Sequence, residues 1–263
     1  MTATMVAVDR GEVWADDSGG DGPPLVLLHP ATGDSRIWDP VLPALTPKYR
    51  VIRYDTRGFG QSPAPAVKFS LLRDLISVLD HYGLDRVPVV GCSQGGGSAL
   101  GLILDQPERV PAIVLLCTGV PGFEYPESAS EESEELDDKW DRAVAGSDVN
   151  ALVSVMERAW RIQANGPGAL EQLRSAARAV IANGSLQEED PAVFDRLGAI
   201  TVPVAVLVGD ADYPPTIEAN KQVAARIPGC EFTLVPGMDH LPPLREPGLI
   251  AAAIMSTLAR AAW

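Results

Sequence analysis

Six short apolar runs recur along the chain with longer amphipathic stretches between them: PLVLLHP (24–30), RVIRYDT (50–56), VPVVGC (87–92), AIVLLCTG (112–119), VPVAVLVGD (202–210) and EFTLVP (231–236). Continuous Val, Leu and Ile, rather than strict alternation, is the signature of strands covered on both faces. The pattern therefore predicts a mostly parallel sheet flanked by helices. LLRDLISVLDHYGL (71–84) carries Leu72, Ile76 and Leu79 at helical spacing, and LIAAAIMSTLARA (249–261), opened by Pro247, does the same with Ile250, Ile254 and Leu258. Both predict crossover helices. Ahead of the first run, MVAVDRGEVWADDSGGDGPP reads as a strand pair closed by a Gly/Pro turn.

One interval breaks the alternation. From about 121 to 199 no buried strand is predicted, and helical stretches are punctuated by glycine and proline. This divides the chain into a core, 1–120 with 200–263, and a helical insertion, 121–199. The insertion opens on ESASEESEELDD, an acidic stretch that predicts a solvated first helix with Ser128 and Glu131 as a capping box. VNALVSVMERAWRIQ then sets Leu152, Met156 and Trp160 at four-residue steps, a core-packing stripe, and GALEQLRSAARAVIAN follows Pro167 as a further helix.

Composition narrows the function classes. At 263 residues, 46% hydrophobic and 21% charged, the chain has the material for one well-filled fold unit. A formal net charge of -14 repels phosphate backbones and anionic membrane surfaces, so neither nucleic acid nor membrane is an expected partner. No apolar stretch approaches a membrane span and the N-terminus has no leader pattern, which makes the cytoplasm the expected compartment. Cys92, Cys117 and Cys230 lie far apart with no CxxC pair, so neither a disulfide framework nor a metal site is expected.

The chemistry concentrates in GCSQGG (91–96), between an apolar run and a helical stretch. Gly91, Gly96, Gly97 and Ser98 nearly spell a phosphate-binding loop, but glycine stands where that loop needs its lysine, and the dinucleotide pattern GxGxxG fails at Leu100. A serine nucleophile needs a strand, a sharp turn and a helix, with small residues two before and two after it. Gly91-Cys92-Ser93-Gln94-Gly95 supplies each part, with Cys92 turned back into the sheet as a packing residue. A serine hydroxyl also needs a base, and the base needs an orienting group. Of three histidines, His29 precedes the serine, His81 lies in a helix, and only His240, in GMDHLPP after the last strand, has the required order and loop position. The acid is expected from VLVGDADYPP: Asp212, with Asp210 as a turn cap and Asp239 as a distant alternative.

With these residues in place the chain resembles the α/β-hydrolase superfamily over nearly its whole length, in LLHPATGDSRIWDPV, RYDTRGFGQS, VVGCSQGGGSA, VGDADYPP and PGMDHLPPLREP. It looks most like the small capped esterase and enol-lactonase-like members, with the insertion falling where that family carries its lid. The resemblance implies an oxyanion hole from the backbone N–H groups of Gln94 and Ala31. It also implies a bracing role for His29 and an architectural one for Asp55, Arg57, Gly58 and Gly60. Pro30 stands where the family usually has glycine and offers no N–H, which leaves Ala31 as that loop's donor.

The expected activity is that of a serine hydrolase acting on an ester or lactone of a small molecule through an acyl-enzyme, with no cofactor. The same triad in this superfamily also serves carbon–carbon bond hydrolysis, thioester cleavage and cofactor-free peroxide chemistry, and a non-catalytic ligand-binding homologue is the rival from another class. Dehalogenases and epoxide hydrolases need a carboxylate where Ser93 stands. Trp38, Trp160 and Leu241 are candidates for lining the substrate pocket.

Overall fold

The computed structural model describes residues 1–125, 131–166 and 168–261. β1 (Thr2–Val8) and β2 (Gly11–Asp17) form an antiparallel hairpin that turns at Asp9 and Arg10. β3 (Pro24–Leu28), β4 (Arg50–Tyr54), β5 (Val89–Cys92), β6 (Ile113–Leu116), β7 (Val204–Gly209) and β8 (Glu231–Val235) follow, each within one of the six apolar runs. Together they make one eight-stranded sheet in the order β1-β2-β4-β3-β5-β6-β7-β8, parallel from β4 to β8. Every residue of β5, β6 and β7 is buried, as strands covered on both faces must be. β8 departs from that expectation. It is the free edge of the sheet, and four of its five residues are exposed.

The helices α1 (Leu42–Leu45), α2 (Leu71–His81), α3 (Gln94–Asp105), α7 (Pro214–Arg226), α8 (Pro242–Arg245) and α9 (Pro247–Ala259) belong to the core, and α4 (Glu131–Ala145), α5 (Val149–Ala159) and α6 (Ala169–Asn183) to the insertion. Proline enters α9 at its first turn, where a missing N–H costs nothing. α2 starts from Ser70, whose Oγ accepts the Arg73 N–H. The interaction expected between Ser128 and Glu131 lies outside the described residues, as does Pro167. Among the described residues, no helix is long and apolar enough to cross a membrane.

Two apolar clusters fill the molecule, one on each side of the sheet. The first joins Leu27, Val51 and Leu116 to Trp38, Ile254 and the insertion's Leu152, Met156 and Leu173; the second joins Val26, Ile52 and Val206 to Leu75 of α2, Leu100 of α3 and Val223 of α7. The order reverses between β3 and β5, so the chain leaves β3 toward one edge and β5 toward the other. Loops at the carboxyl ends of that pair open a crevice, the usual ligand site of such sheets.

Candidate active site

Ser93 lies at this crevice, between the last residue of β5 and the first of α3, with φ 50° and ψ -115°. A non-glycine residue in that region stores strain of about 1–3 kcal/mol, and it persists only where the surroundings fix it. Here they do. The Ser93 N–H donates to the Leu116 carbonyl (2.9 Å), and its own carbonyl accepts from Gly96 (2.9 Å), Gly97 (3.2 Å) and Gly119 (2.9 Å). α3 can approach the sheet this closely because residue 95 has no side chain: a Cβ there would stand 2.5 Å from the Leu28 carbonyl oxygen. The glycines of GCSQGG give clearance around a forced turn, and no phosphate cradle is needed to account for them.

Asp212 and His240 arrive from two loops zipped together. Asp210 donates its N–H to Val235 (3.1 Å), Ala211 to Met238 (3.2 Å), and the Asp210 carboxylate accepts the Gly237 N–H (2.6 Å). Asp210 is therefore the turn cap, and the pairing delivers Asp212, buried at 0% exposure, to His240. Nδ1 of His240 lies 2.9 Å from each Asp212 oxygen, and Nε2 lies 3.0 Å from Ser93 Oγ. A carboxylate only accepts, so Nδ1 carries the proton and Nε2 keeps the lone pair that faces the serine hydroxyl. Asp239, the other acid considered, turns away from the imidazole and pairs with Arg245.

Burial opposes a charged imidazole at His240, but the Asp212 carboxylate outweighs it and holds the pKa well above the ordinary histidine value. Cys117, at the end of β6, also lies against His240, its thiol 3.7 Å from the His240 carbonyl and 3.6 Å from Cys92 Sγ. Burial pushes the Cys117 thiol up, so it is neutral near neutral pH and leaves Asp212 as the charge that sets His240. Cys92 is fully buried, in keeping with packing.

His29 braces the loop after β3. Its Nε2 accepts the Thr56 N–H (3.0 Å), which puts the proton on Nδ1, 2.8 Å from the Pro30 carbonyl. Pro30 in turn accepts from Gly33 (3.2 Å), closing a four-residue turn with Ala31 at its second position, whose N–H the turn does not use. Gln94, the first residue of α3, has no preceding helical carbonyl for its N–H. Asp55 ties Ser35 and Gln61 by their N–H groups (both 2.8 Å), and Arg57 pairs with buried Asp74 (2.7 Å). Both are scaffolding for the turn beside His29.

A cavity of about 230 Å³ reaches Ser93 and His240, walled by Tyr125, Trp160, Tyr213, Thr216 and Cys117. Trp160, the C-cap of α5, lies with its ring 6.2 Å from that of His240 at 31°. Trp38 and Leu241 are fully buried in the apolar cluster and are not part of this wall. Tyr125, Tyr213 and Thr216 escaped the sequence reading. Only Tyr213, directly after Asp212, carried a positional signal. Among the described residues, Cys117, Asp212 and His240 are the one group whose donor atoms gather closely enough to meet a metal ion, but both imidazole nitrogens there are already engaged, by Asp212 and by Ser93.

Comparison with known proteins shows what this arrangement is similar to. A family model for the alpha/beta hydrolase fold matches residues 23–149. A putative 2-succinyl-6-hydroxy-2,4-cyclohexadiene-1-carboxylate synthase of Bacillus subtilis is 26% identical over 98% of this chain and 99% of its own length. Among solved structures, a thermophilic esterase from Thermogutta terrifontis superposes with a TM-score of 0.79 at 26% identity, covering 98% of each chain. Est816, described as an N-acyl homoserine lactone degrading enzyme, superposes with a TM-score of 0.78 at 26% identity over 96% of this chain and 99% of its own. With its reversed-order parallel sheet, its strained serine turn and these full-length likenesses, the chain has the α/β-hydrolase fold.

Proposed function

We propose that this chain is a serine hydrolase of small, uncharged carboxylic esters or lactones, with Ser93 as nucleophile, His240 as base and Asp212 as the group that orients it. Ser93 Oγ adds to the substrate carbonyl as its proton passes to His240 Nε2. The tetrahedral oxyanion is held by the N–H groups of Ala31 and Gln94, neither of which serves the turn or helix it belongs to. Collapse expels the alcohol, which takes the proton from Nε2, and leaves an acyl group on Ser93. Water then attacks as His240 Nε2 accepts its proton, and that proton passes to Ser93 Oγ as the acyl–oxygen bond breaks and the acid departs.

The observation that carries this reading is the continuous path Asp212–His240–Ser93, at 2.9 and 3.0 Å, ending on a serine held at φ 50°. Other support comes from the relatives, an esterase and a lactone-degrading enzyme among them. Apart from His240 itself, the wall around Ser93 carries no carboxylate or cationic side chain among its described residues, which fits an uncharged substrate. A second reading has one specific observation behind it: the Bacillus subtilis relative, similar over its full length, bears the name of a synthase. In that reading the same three groups move protons without cleaving an ester.

Hydrolysis of short p-nitrophenyl esters and lactones by the wild type and by Ser93→Ala decides between them. Turnover that vanishes in the variant is the expected result. Equal rates in both proteins, or no turnover of any ester or lactone in a broad panel, would end the hydrolase reading and leave the non-hydrolytic one and a non-catalytic binding role.

A further inference from the structure

Beside the Trp160–His240 contact, the insertion meets the histidine loop at an ion pair whose carboxylate is buried and whose guanidinium is partly exposed. Asp239, 1% exposed and adjacent to His240 in the chain, accepts both oxygens' worth of contacts from Arg245: Nε lies 2.9 and 3.0 Å from the two oxygens and Nη2 lies 2.6 Å from Oδ2. The pair does more than close α8 onto its own loop. Asp239 Oδ2 also accepts the backbone N–H of Gln163 (2.9 Å), and Arg245 Nη2 donates to the Gln163 carbonyl (2.7 Å). Both backbone polar groups of Gln163 are thus gripped by a single carboxylate–guanidinium unit. The loop beyond wraps the guanidinium so tightly that a Cβ on Gly166 would collide with Arg245 Nη1.

Gln163 stands three residues after Trp160, the aromatic wall over His240, and the intervening Arg161 is held at φ 51°. A short, bent connection of this kind transmits the position of Gln163 to the indole. An ion pair that served only α8 would have no use for the Gln163 peptide. We propose that Asp239 and Arg245 are positioning residues that fix Trp160 over His240 and so set the size of the group accepted beside Ser93. The kinetic part of this inference rests on the hydrolase reading; the positioning of Trp160 does not.

The test compares wild type with Arg245→Ala and Asp239→Asn on p-nitrophenyl acetate and hexanoate. Loss of a charge-assisted grip costs about tenfold or more. It is expected here as a rise of about tenfold in KM for acetate with kcat little changed, and as a shift of preference toward hexanoate. Guanidinium at tens of millimolar restores Arg245→Ala toward wild type, whereas sodium chloride at equal concentration does not; a mere loss of fold would not recover this way. Independently of any turnover, acrylamide quenching of Trp160, read as the difference between each protein and its Trp160→Phe partner, increases in both variants. If Arg245→Ala does not fold, Arg245→Lys serves: it keeps the charge but lacks the planar fork that reaches Asp239 and Gln163 together, and the same changes are expected at smaller size. Unchanged Trp160 quenching, or kcat and chain-length preference that fall without a KM effect and without rescue, overturns the proposal. Absence of esterase activity in the wild type would refute the hydrolase reading alone and leave the quenching to decide this one.

Discussion

The sheet and the helical insertion meet at the same cavity but are held there differently. β5, β6 and β7 bury every residue, and the groups at their ends inherit their positions from backbone ladders and apolar packing. The insertion also lays an apolar face, Leu152, Met156 and Leu173, on the core, but it adds discrete polar ties to the loops that frame Ser93. On the oxyanion side, fully buried Asp34 accepts Ser175 Oγ (2.6 Å) and the Gln172 amide (3.2 Å) from α6, while its N–H donates to Gln172 (2.8 Å). On the histidine side the tie is Asp239 with Arg245 on Gln163. Near the Arg57 turn it is Asn183, donating to the Arg57 carbonyl (2.8 Å). The difference suits a division of labour under the proposed function: the sheet would fix what reaction is available, and the tied insertion what reaches it.

Substitutions at the strand ends should therefore cost reaction rate, and substitutions at the ties should cost selectivity or modest stability. The largest effect is expected from Ser93→Ala, a fall of about 10⁴-fold or more in kcat/KM with the melting temperature little changed. Asp212→Asn should follow, with kcat down about 10³- to 10⁴-fold because an amide in place of the carboxylate removes the charge and lets the imidazole take the wrong tautomer. This variant also has a pH signature. In the proposed mechanism neutral His240 is the working form, so kcat/KM in the wild type should rise with pH until the raised His240 pKa is passed, which places the acid limb above that of an ordinary histidine. With Asp212 gone, burial is left to disfavour the imidazolium, and the limb moves to lower pH. A limb that stays in place would mean that Asp212 does not set the charge on His240.

Gly95→Ala probes the scaffold rather than the reaction. Its Cβ would meet the Leu28 backbone, and α3 would have to move off the sheet, a cost of about 1–3 kcal/mol or more that thermal unfolding would register as a fall of several degrees. A Gly95→Ala protein with unchanged melting temperature would break the claim that clearance is what the glycine supplies. Among the ties, Glu171→Ala should have the smallest effect. Its exposed contact with Arg36 is worth at most about 1 kcal/mol, so stability and turnover should stay near wild type. The buried part of the same tie is different: burial works against the Asp34 charge, but Arg36 and Ser175 hold the carboxyl well below the usual range. That stability is present above the unfolded carboxyl pKa and is lost only in strong acid.

The fold was legible because strands buried on both faces leave unbroken apolar runs; the reversal of strand order between β3 and β5 was not, since helices between strands fix neither neighbour nor direction of winding. β8 shows the limit of that reading. EFTLV looks like the inner strands, yet nothing in its composition says that no ninth strand follows beside it. The groups at Ser93, Asp212 and His240 were legible from a local pattern and from order along the chain. Of the cavity wall only Trp160 was anticipated; Tyr125, Tyr213 and Thr216 were not, because they come from segments far apart in the chain with no shared period. Trp160 reads as one more member of the Leu152 and Met156 stripe, and its place at the end of α5 lets it leave the core for the cavity. By its place in the sequence Asp239 offers an acid to its neighbour His240. Its real partner, Arg245, stands six residues on, a spacing that matches neither helix nor strand and becomes meaningful only when α8 folds back.

The most direct measurement is the covalent one. Incubation with a fluorophosphonate, followed by intact-protein and peptide mass analysis, should add one phosphonyl group per chain, on Ser93. Labelling should disappear in Ser93→Ala and be severely slowed in His240→Gln. An unlabelled wild type, or a label that persists in Ser93→Ala at the wild-type rate, would contradict the account at its centre.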